Sequence, residues 1–174
     1  MAINLEGQLV QLRAVEPKDI DLMYEWENET ENWGLSSTRA PFSRYLLEHF
    51  IESQNRDIFQ TGQLRLVICV KEDNAPIGTL DLFDIDGYNH RAGVGILIAR
   101  EWRERGYAAD ALTTVCSYAA KHLAMNQLWC GVEISNVTSL NLFKRAGYRE
   151  VGTKKAWNWS PEGYVDEVIL QKIL

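Results

Sequence analysis

Apolar residues recur along this chain in two rhythms, and the switches between them mark out the elements. From Gly7 to Val15, GQLVQLRAV alternates apolar and polar positions, the period-two pattern of a half-buried strand. EPKDIDLMYEWENE follows, with Pro17 at a first helical position and Ile20, Met23 and Tyr24 on one face. Ser43 is placed to cap a second helix, in which Leu46, Leu47, Phe50 and Ile51 recur at helical spacing. Strand patterns then occupy LRLVICVKED (64–73) and IGTLDLFDID (77–86), joined by a turn at Asn74-Ala75-Pro76, and RAGVGILIA (91–99). The strongest helical pattern comes next: Ala109, Leu112, Cys116, Ala119 and Leu123 step by 3, 4, 3 and 4 into one apolar stripe. LWCGVEIS (128–135) reads as a strand, Asn136 as the cap of the helix VTSLNLFKRA, and Gly147 as its left-handed stop. Two strands, YREVGTKKAWNW and YVDEVILQKI, complete the pattern. The order β-α-α-β-β-β-α-β-α-β-β predicts one domain over residues 1–174. Its class is α/β (α+β), a mixed, largely antiparallel central sheet of about seven strands flanked by about four helices.

Composition narrows the partners. A net charge of -6 argues against generic binding of nucleic acid, which needs a basic surface. A cationic small molecule or a basic peptide is the more natural partner. No segment has the apolar length to cross a membrane, so no membrane partner is expected. The opening MAINLEGQLVQLRAVEP lacks a basic stretch followed by an apolar one, and the expected location is cytoplasmic. The three cysteines, Cys69, Cys116 and Cys130, lie in apolar stretches without metal-like spacing. They read as buried free thiols, and no metal is expected.

Candidate chemistry concentrates in WRERGYAADAL (102–112). Arg103, Arg105 and Gly106 form a turn directly after a strand, and a helix opens there. The first amides of a helix have no backbone partners and carry the positive end of its dipole. Gly106 permits close approach, Ala108 and Ala109 keep the space clear, and the arginines add charge. That combination suits phosphate or pyrophosphate. On these residues alone, a glycine turn with solvated arginines is an equal reading. The stretch lacks both G-x-x-x-x-G-K-[ST] and G-x-G-x-x-G.

Arg103-x-x-Gly106-x-Ala108 instead resembles the pyrophosphate-binding arm Q/R-x-x-G-x-G/A of the GNAT superfamily, the acetyl-CoA-dependent N-acetyltransferases. Downstream, NVTSLNLFKRAGY (136–148) resembles that family's capped helix ending in glycine and an aromatic residue. Within the superfamily, VQLRAVEPKDI and GYVDEVIL are similar to the spermidine and the ribosomal-protein N-terminal acetyltransferases.

The resemblance implies acetyl-CoA as cosubstrate and direct attack by a primary amine in a ternary complex. The acceptor is a polyamine, another small amine, or a protein N-terminus. It implies that the strand around Gly95 to Ile98 splays from 128–135, with pantetheine in the gap alongside Ile96 and Ile98. Amides from Arg103 through Arg105, Gly106, Tyr107, Ala108 and Ala109 would hold the pyrophosphate, and the Ile96 amide would polarise the thioester carbonyl. Asn136 contacts the pantetheine arm or serves only as a cap. Ser139 adds a polar contact or is plain helix surface. Two positions depart from the family. Phe143 stands where a proton-donating tyrosine is usual, and Gly93 where the spermidine enzymes carry a glutamate. The carboxylates left to accept a proton are Glu133, beside Asn136, and Asp81, with Asp84 also in range. For each, a solvated strand-edge charge is the preferred reading over a catalytic role. His90 is a loop histidine that could relay a proton.

Glu27, Glu29 and Glu31 with Trp26 and Trp33 either bind the acceptor cation or form a charged loop over buried indoles. Trp157 and Trp159 line the acceptor cleft or an oligomer contact. The stretch 163–173, read as an unpaired edge strand, suggests a homodimer. The loss of tyrosine and glutamate also leaves a second reading, a catalytically weak acyl-CoA-binding module.

Overall fold

The computed structural model of the protein describes residues 5–36 and 38–174. Its strands are β1 (Val10–Ala14), β2 (Leu64–Val70), β3 (Pro76–Asp86), β4 (Arg91–Ile98), β5 (Gln127–Glu133), β6 (Arg149–Ser160) and β7 (Gly163–Ile173). They form one seven-stranded sheet in the order β1-β2-β3-β4-β5-β7-β6. Every neighbouring pair is antiparallel except β4 and β5, which run parallel. The helices are α1 (Ile20–Glu27), α2 (Thr30–Ser36), α3 (Arg44–Ser53), α4 (Ile58–Thr61), α5 (Tyr107–Lys121) and α6 (Val137–Arg145). A 3-10 turn at Pro17–Asp19 leads into α1. Two helices, α2 and α4, escape the apolar periodicity because they are a turn or two long and carry no continuous stripe.

Alternation divides the sheet into two faces. On one, Leu66, Ile68, Leu80, Leu82, Ala92, Val94, Leu128, Cys130, Val168 and Leu170 meet the buried sides of α5 and α6 in the larger core. Leu112, Cys116, Ala119 and Leu123 of the α5 stripe lie in it; Ala109, one turn earlier, is exposed. On the other face, Val67 and Cys69 pack with Val15, Met23, Leu47 and Ile51 under α1 and α3. Ser43 caps α3 by accepting from the Leu46 amide at 3.1 Å. Tyr24 and Leu46, expected on the buried stripes, are exposed; Arg44 stacks over the Tyr24 ring at 4.6 Å. That second face is bare beyond β3, where it presents Phe83, Trp129, Glu167 and Ile169.

Two pairings differ from the expected topology. β7 is no edge: it inserts between β5 and β6, pairing with both, and leaves β6 on the outside. The homodimer inferred from an unpaired 163–173 therefore loses its basis. The first strand pattern is also shortened to Val10–Ala14. The amides of Gln8, Leu9 and Val10 instead donate to the Asp110 carboxylate of α5 at 3.1, 2.7 and 2.9 Å. A side chain on Gly7 would collide with Asp110, so glycine there permits the clamp.

Arg13 holds Asp19 through two hydrogen bonds of 2.7 and 2.8 Å, and the Glu16 amide adds a third at 2.8 Å. Burial alone would push the Asp19 carboxyl up, but these bonds outweigh it and hold it below its ordinary 3.8. A depressed carboxylate contributes stability above its unfolded value and loses it as pH falls through the folded one. In urea unfolding, Asp19→Asn should lower stability at pH 7 and shrink the gap between pH 7 and pH 3. An undiminished gap would contradict the assignment.

Candidate active site

The only parallel pair in the sheet is also its shortest ladder. Arg91, Ala92 and Gly93 pair with Gln127, Leu128 and Trp129, and there the pairing stops. β4 continues to Ile98 against β3, and β5 continues to Glu133 against β7, so the two strands part. The backbone directions follow from two bonds. The Ala99 amide donates to Ile77 on the β3 side at 2.8 Å, whereas the His90 carbonyl accepts from Asn126 on the β5 side at 2.7 Å. Alternation then turns the N–H and C=O of Ile96 and Ile98 toward β5, into the opening. A strand edge inside a fold needs partners for such groups.

The helix mouth lies at the end of this opening. Gly106 adopts φ +84, a left-handed turn that glycine enters without strain. The first helical bond runs from the Asp110 amide to the Gly106 carbonyl at 3.1 Å, so the amides of Tyr107, Ala108 and Ala109 precede the ladder. Arg105 lies over the Trp102 ring at 5.4 Å, and Trp102 and Tyr107 lean together with centroids 6.1 Å apart.

Arg103 differs from expectation. Its amide donates to the Arg100 carbonyl at 3.3 Å, closing a 3-10 turn. Its guanidinium turns back to the Ile98 carbonyl at 2.9 Å and to Asn32 of α2 at 3.0 Å. Arg103 thus caps the free end of β4 and ties it to α2, rather than adding a free charge to the mouth.

On the α6 side, Asn136 caps the helix by accepting from the Ser139 amide at 3.1 Å, with Ser139 half-buried in the first turn. Phe143 is buried edge-on against Tyr148, centroids 5.1 Å apart. The Tyr148 hydroxyl is itself buried and contacts the Cys116 thiol at 3.6 Å. Burial raises that phenol, with Cys116 beside it raising it further.

Opposite α5 and α6, the bare face holds the carboxylates. Asp81 pairs across from Gly95, but Arg65 grips both its oxygens at 2.7 and 2.8 Å and also pairs with Glu27. Asp81 is therefore a counter-ion to a buried arginine. Glu133 ends β5, accepting a 3.5 Å contact from the Ser135 hydroxyl. Directly across from it stands Glu167 of β7, a residue that the sequence pattern gave no reason to single out. Asp84 and His90 both have positive φ at the end of the β3–β4 hairpin, where β4 and β5 still pair, away from the opening. Phe83 covers Gly93, leaving no room for a side chain there, and meets Trp129 edge-on with centroids 5.4 Å apart. Next to these rings a groove of about 590 Å³ is lined by Asp84, Asp86, Trp129, Lys154 and Ile169.

The expected acidic cradle has its own partners. Glu27 binds Arg65, Glu29 accepts from Asn32 at 2.9 Å, and Glu31 binds Arg100 at 3.0 Å. Trp26 is buried, and the Trp33 indole donates to the Glu27 carbonyl at 2.9 Å. Ser37, at the end of that stretch, lies outside the described residues. Trp157 and Trp159 are exposed on β6.

Residues 10–149 match the model of the acetyltransferase (GNAT) domain. The chain belongs to the GNAT acetyltransferase family. It is an acetyl-CoA-dependent N-acetyltransferase, and the unpaired amides at the α5 mouth and along β4 fit that cosubstrate's polar chain. The fold is similar to that of a spermidine N-acetyltransferase from Vibrio cholerae solved with CoA and spermine. The TM-score is 0.86 at 20% identity, covering 96% of each chain. The N-acetyltransferase YokL of Bacillus subtilis is 24% identical, over 93% of this chain and 88% of its own. The L-amino acid N-acetyltransferase AaaT of Escherichia coli is 23% identical, over 69% of this chain and 74% of its own. No helix among the described residues is long and apolar enough to cross a membrane.

Gly106→Val tests the mouth. It should cost about 1–2 kcal/mol of stability through the left-handed backbone and weaken CoA binding on the order of tenfold, the worth of about one hydrogen bond. Calorimetric titration with CoA alongside urea unfolding separates the two; unchanged affinity would remove the mouth from the site.

Proposed function

We propose that this GNAT enzyme acetylates the primary amine of a cationic acceptor by direct attack within a ternary complex. The acceptor is a polyamine, another small amine, or a peptide N-terminus. The observation that carries this reading is the gap between β4 and β5, which has the amides of α5 at its end and a face bearing aromatic and acidic residues beside it. Two of these similar proteins are named for spermidine and for L-amino acids, which supports the acceptor class.

Each residue then has a place. The amides of Gly106 to Ala109 would hold the pyrophosphate, with Arg105 nearby. The edge of β4 at Ile96 and Ile98 and the first turn of α6, from Asn136 to Ser139, would flank pantetheine. The thioester supplies an acyl group activated for attack. The Ile96 amide would donate to the carbonyl oxygen as charge develops on it. Phe143 has no proton to give, so the departing thiolate would leave as such or take one from water. Glu133 would draw the acceptor cation to the end of β5. Asp81 is not carried forward as a base, because Arg65 holds it.

Direct transfer is favoured over an acyl-cysteine route by the thiols. All three are buried. Burial raises Cys69, and burial with the nearby charge of Glu167 pushes Cys130 up to about 12, so neither supplies a thiolate at neutral pH. Free thiols also suit a reducing compartment such as the cytoplasm. β6, one of the two outer strands, exposes Val151, Trp157 and Trp159 and offers an edge through which two copies would pair.

The test is thiol release from acetyl-CoA against spermidine, spermine, simple diamines, amino acids and short basic peptides. Release should follow acceptors with a free primary amine and vanish when that amine is already acetylated. No release with any of them, while acetyl-CoA still raises the melting temperature, would favour the acyl-CoA-binding module and make Phe143 its cause.

A further inference from the structure

The face of β4 that looks toward the acceptor side carries Gly93, Gly95 and Leu97, so no carboxylate comes from that strand. Of those nearby, Asp81 is held by Arg65. The remaining pair is Glu133 and Glu167, directly opposite each other on β5 and β7. Like charges placed so are unfavourable, and side chains in that position lean apart.

Glu167 leans in a particular direction. A Cβ added to Gly131 would meet the Glu167 carboxyl carbon and Oε1 at 2.7 Å. The carboxylate therefore lies flat across β5, over the one residue there with no side chain. Gly131 is two residues beyond Trp129, the last residue of β5 that still pairs with β4. The carboxylate is thereby carried from β7 to the strand segment that borders the opening. Its side chain is only 16% exposed. Lys154 donates to Oε1 at 3.0 Å, while Oε2 has only a 3.5 Å contact from Asn158. Lys154 also lies 4.4 Å from the Trp157 ring, a second resting place for its ammonium.

We infer that Glu167 is the group that takes the acceptor's proton, and that Gly131 is glycine so that it can reach. This rests on the acetyltransferase reading above. The acceptor nitrogen forms the N–C bond to the acetyl carbon and the C–S bond breaks. The electron pair leaves with the CoA sulfur, and the nitrogen's surplus proton passes to the Glu167 carboxylate and on to water. Glu133 across the strand and Lys154 on β6 are the charged groups that face it.

Steady-state rates from pH 6 to 10, in the intact protein, test the assignment with whichever amine the panel selects. Glu167→Gln should lower kcat/KM about 100-fold or more near pH 7, the usual share of a general base. The deficit should shrink as pH rises and hydroxide takes that proton in place of the carboxylate, with CoA affinity unchanged. Gly131→Ala keeps the carboxylate but displaces it, and should show the same pH-dependent deficit with a native melting temperature. A rate within threefold of the parent for both variants, a deficit equal at every pH, or a pH-dependent deficit found in Glu133→Gln instead would each overturn the assignment. An inactive parent protein would overturn the acetyltransferase reading itself, and Glu167's part with it.

Discussion

Backbone amides and carbonyls inside a fold must find partners, and this sheet leaves a row of them unmet by letting β4 and β5 separate after three paired residues. Much of the structure holds that separation in place. Phe83 lies over Gly93 and against Trp129 at the point of parting. Arg103 caps the Ile98 carbonyl at the far end and ties it to α2. β3 and β7 anchor the outer edges of the two strands, β3 with a bulge between Phe83 and Asp86. The gap is thus a rigid feature with unpaired donors, suited to a ligand that runs along it as a strand would.

Charge is distributed around the gap with the same economy. Arg65, largely enclosed, carries Glu27 and Asp81 together, and burial is offset by those two carboxylates. Asp110 sits one turn into α5, but its charge is shared among three amides from the start of β1. The helix mouth keeps its positive end.

Features set by neighbours in sequence were legible in it. Ser43, Asn136 and Gly147 end or begin helices through their own side chains or backbone freedom, and the α5 stripe follows from period alone. Gly106 announced the helix mouth because a left-handed turn before a helix favours that residue. What stayed hidden depends on distant pairings. Nothing near Arg103 signals that its guanidinium turns to Ile98 and Asn32. Nothing near Asp110 points to residues a hundred positions earlier, and Glu167 gains meaning only when β7 lies beside Gly131. A hairpin pattern likewise cannot say whether its second strand faces outward or slots between two others.

That insertion of β7 has a consequence for how the molecule is made. β1 to β4 pair in sequence order, each with the strand that the chain has just supplied. β5 cannot gain its second neighbour until α6, β6 and β7 have followed it out of the ribosome. Long-range pairing of this kind is slow and leaves an unpaired strand waiting. The half of the sheet beyond the gap therefore completes its pairing last in a growing chain, and the half under α1 and α3 can wait for it already paired.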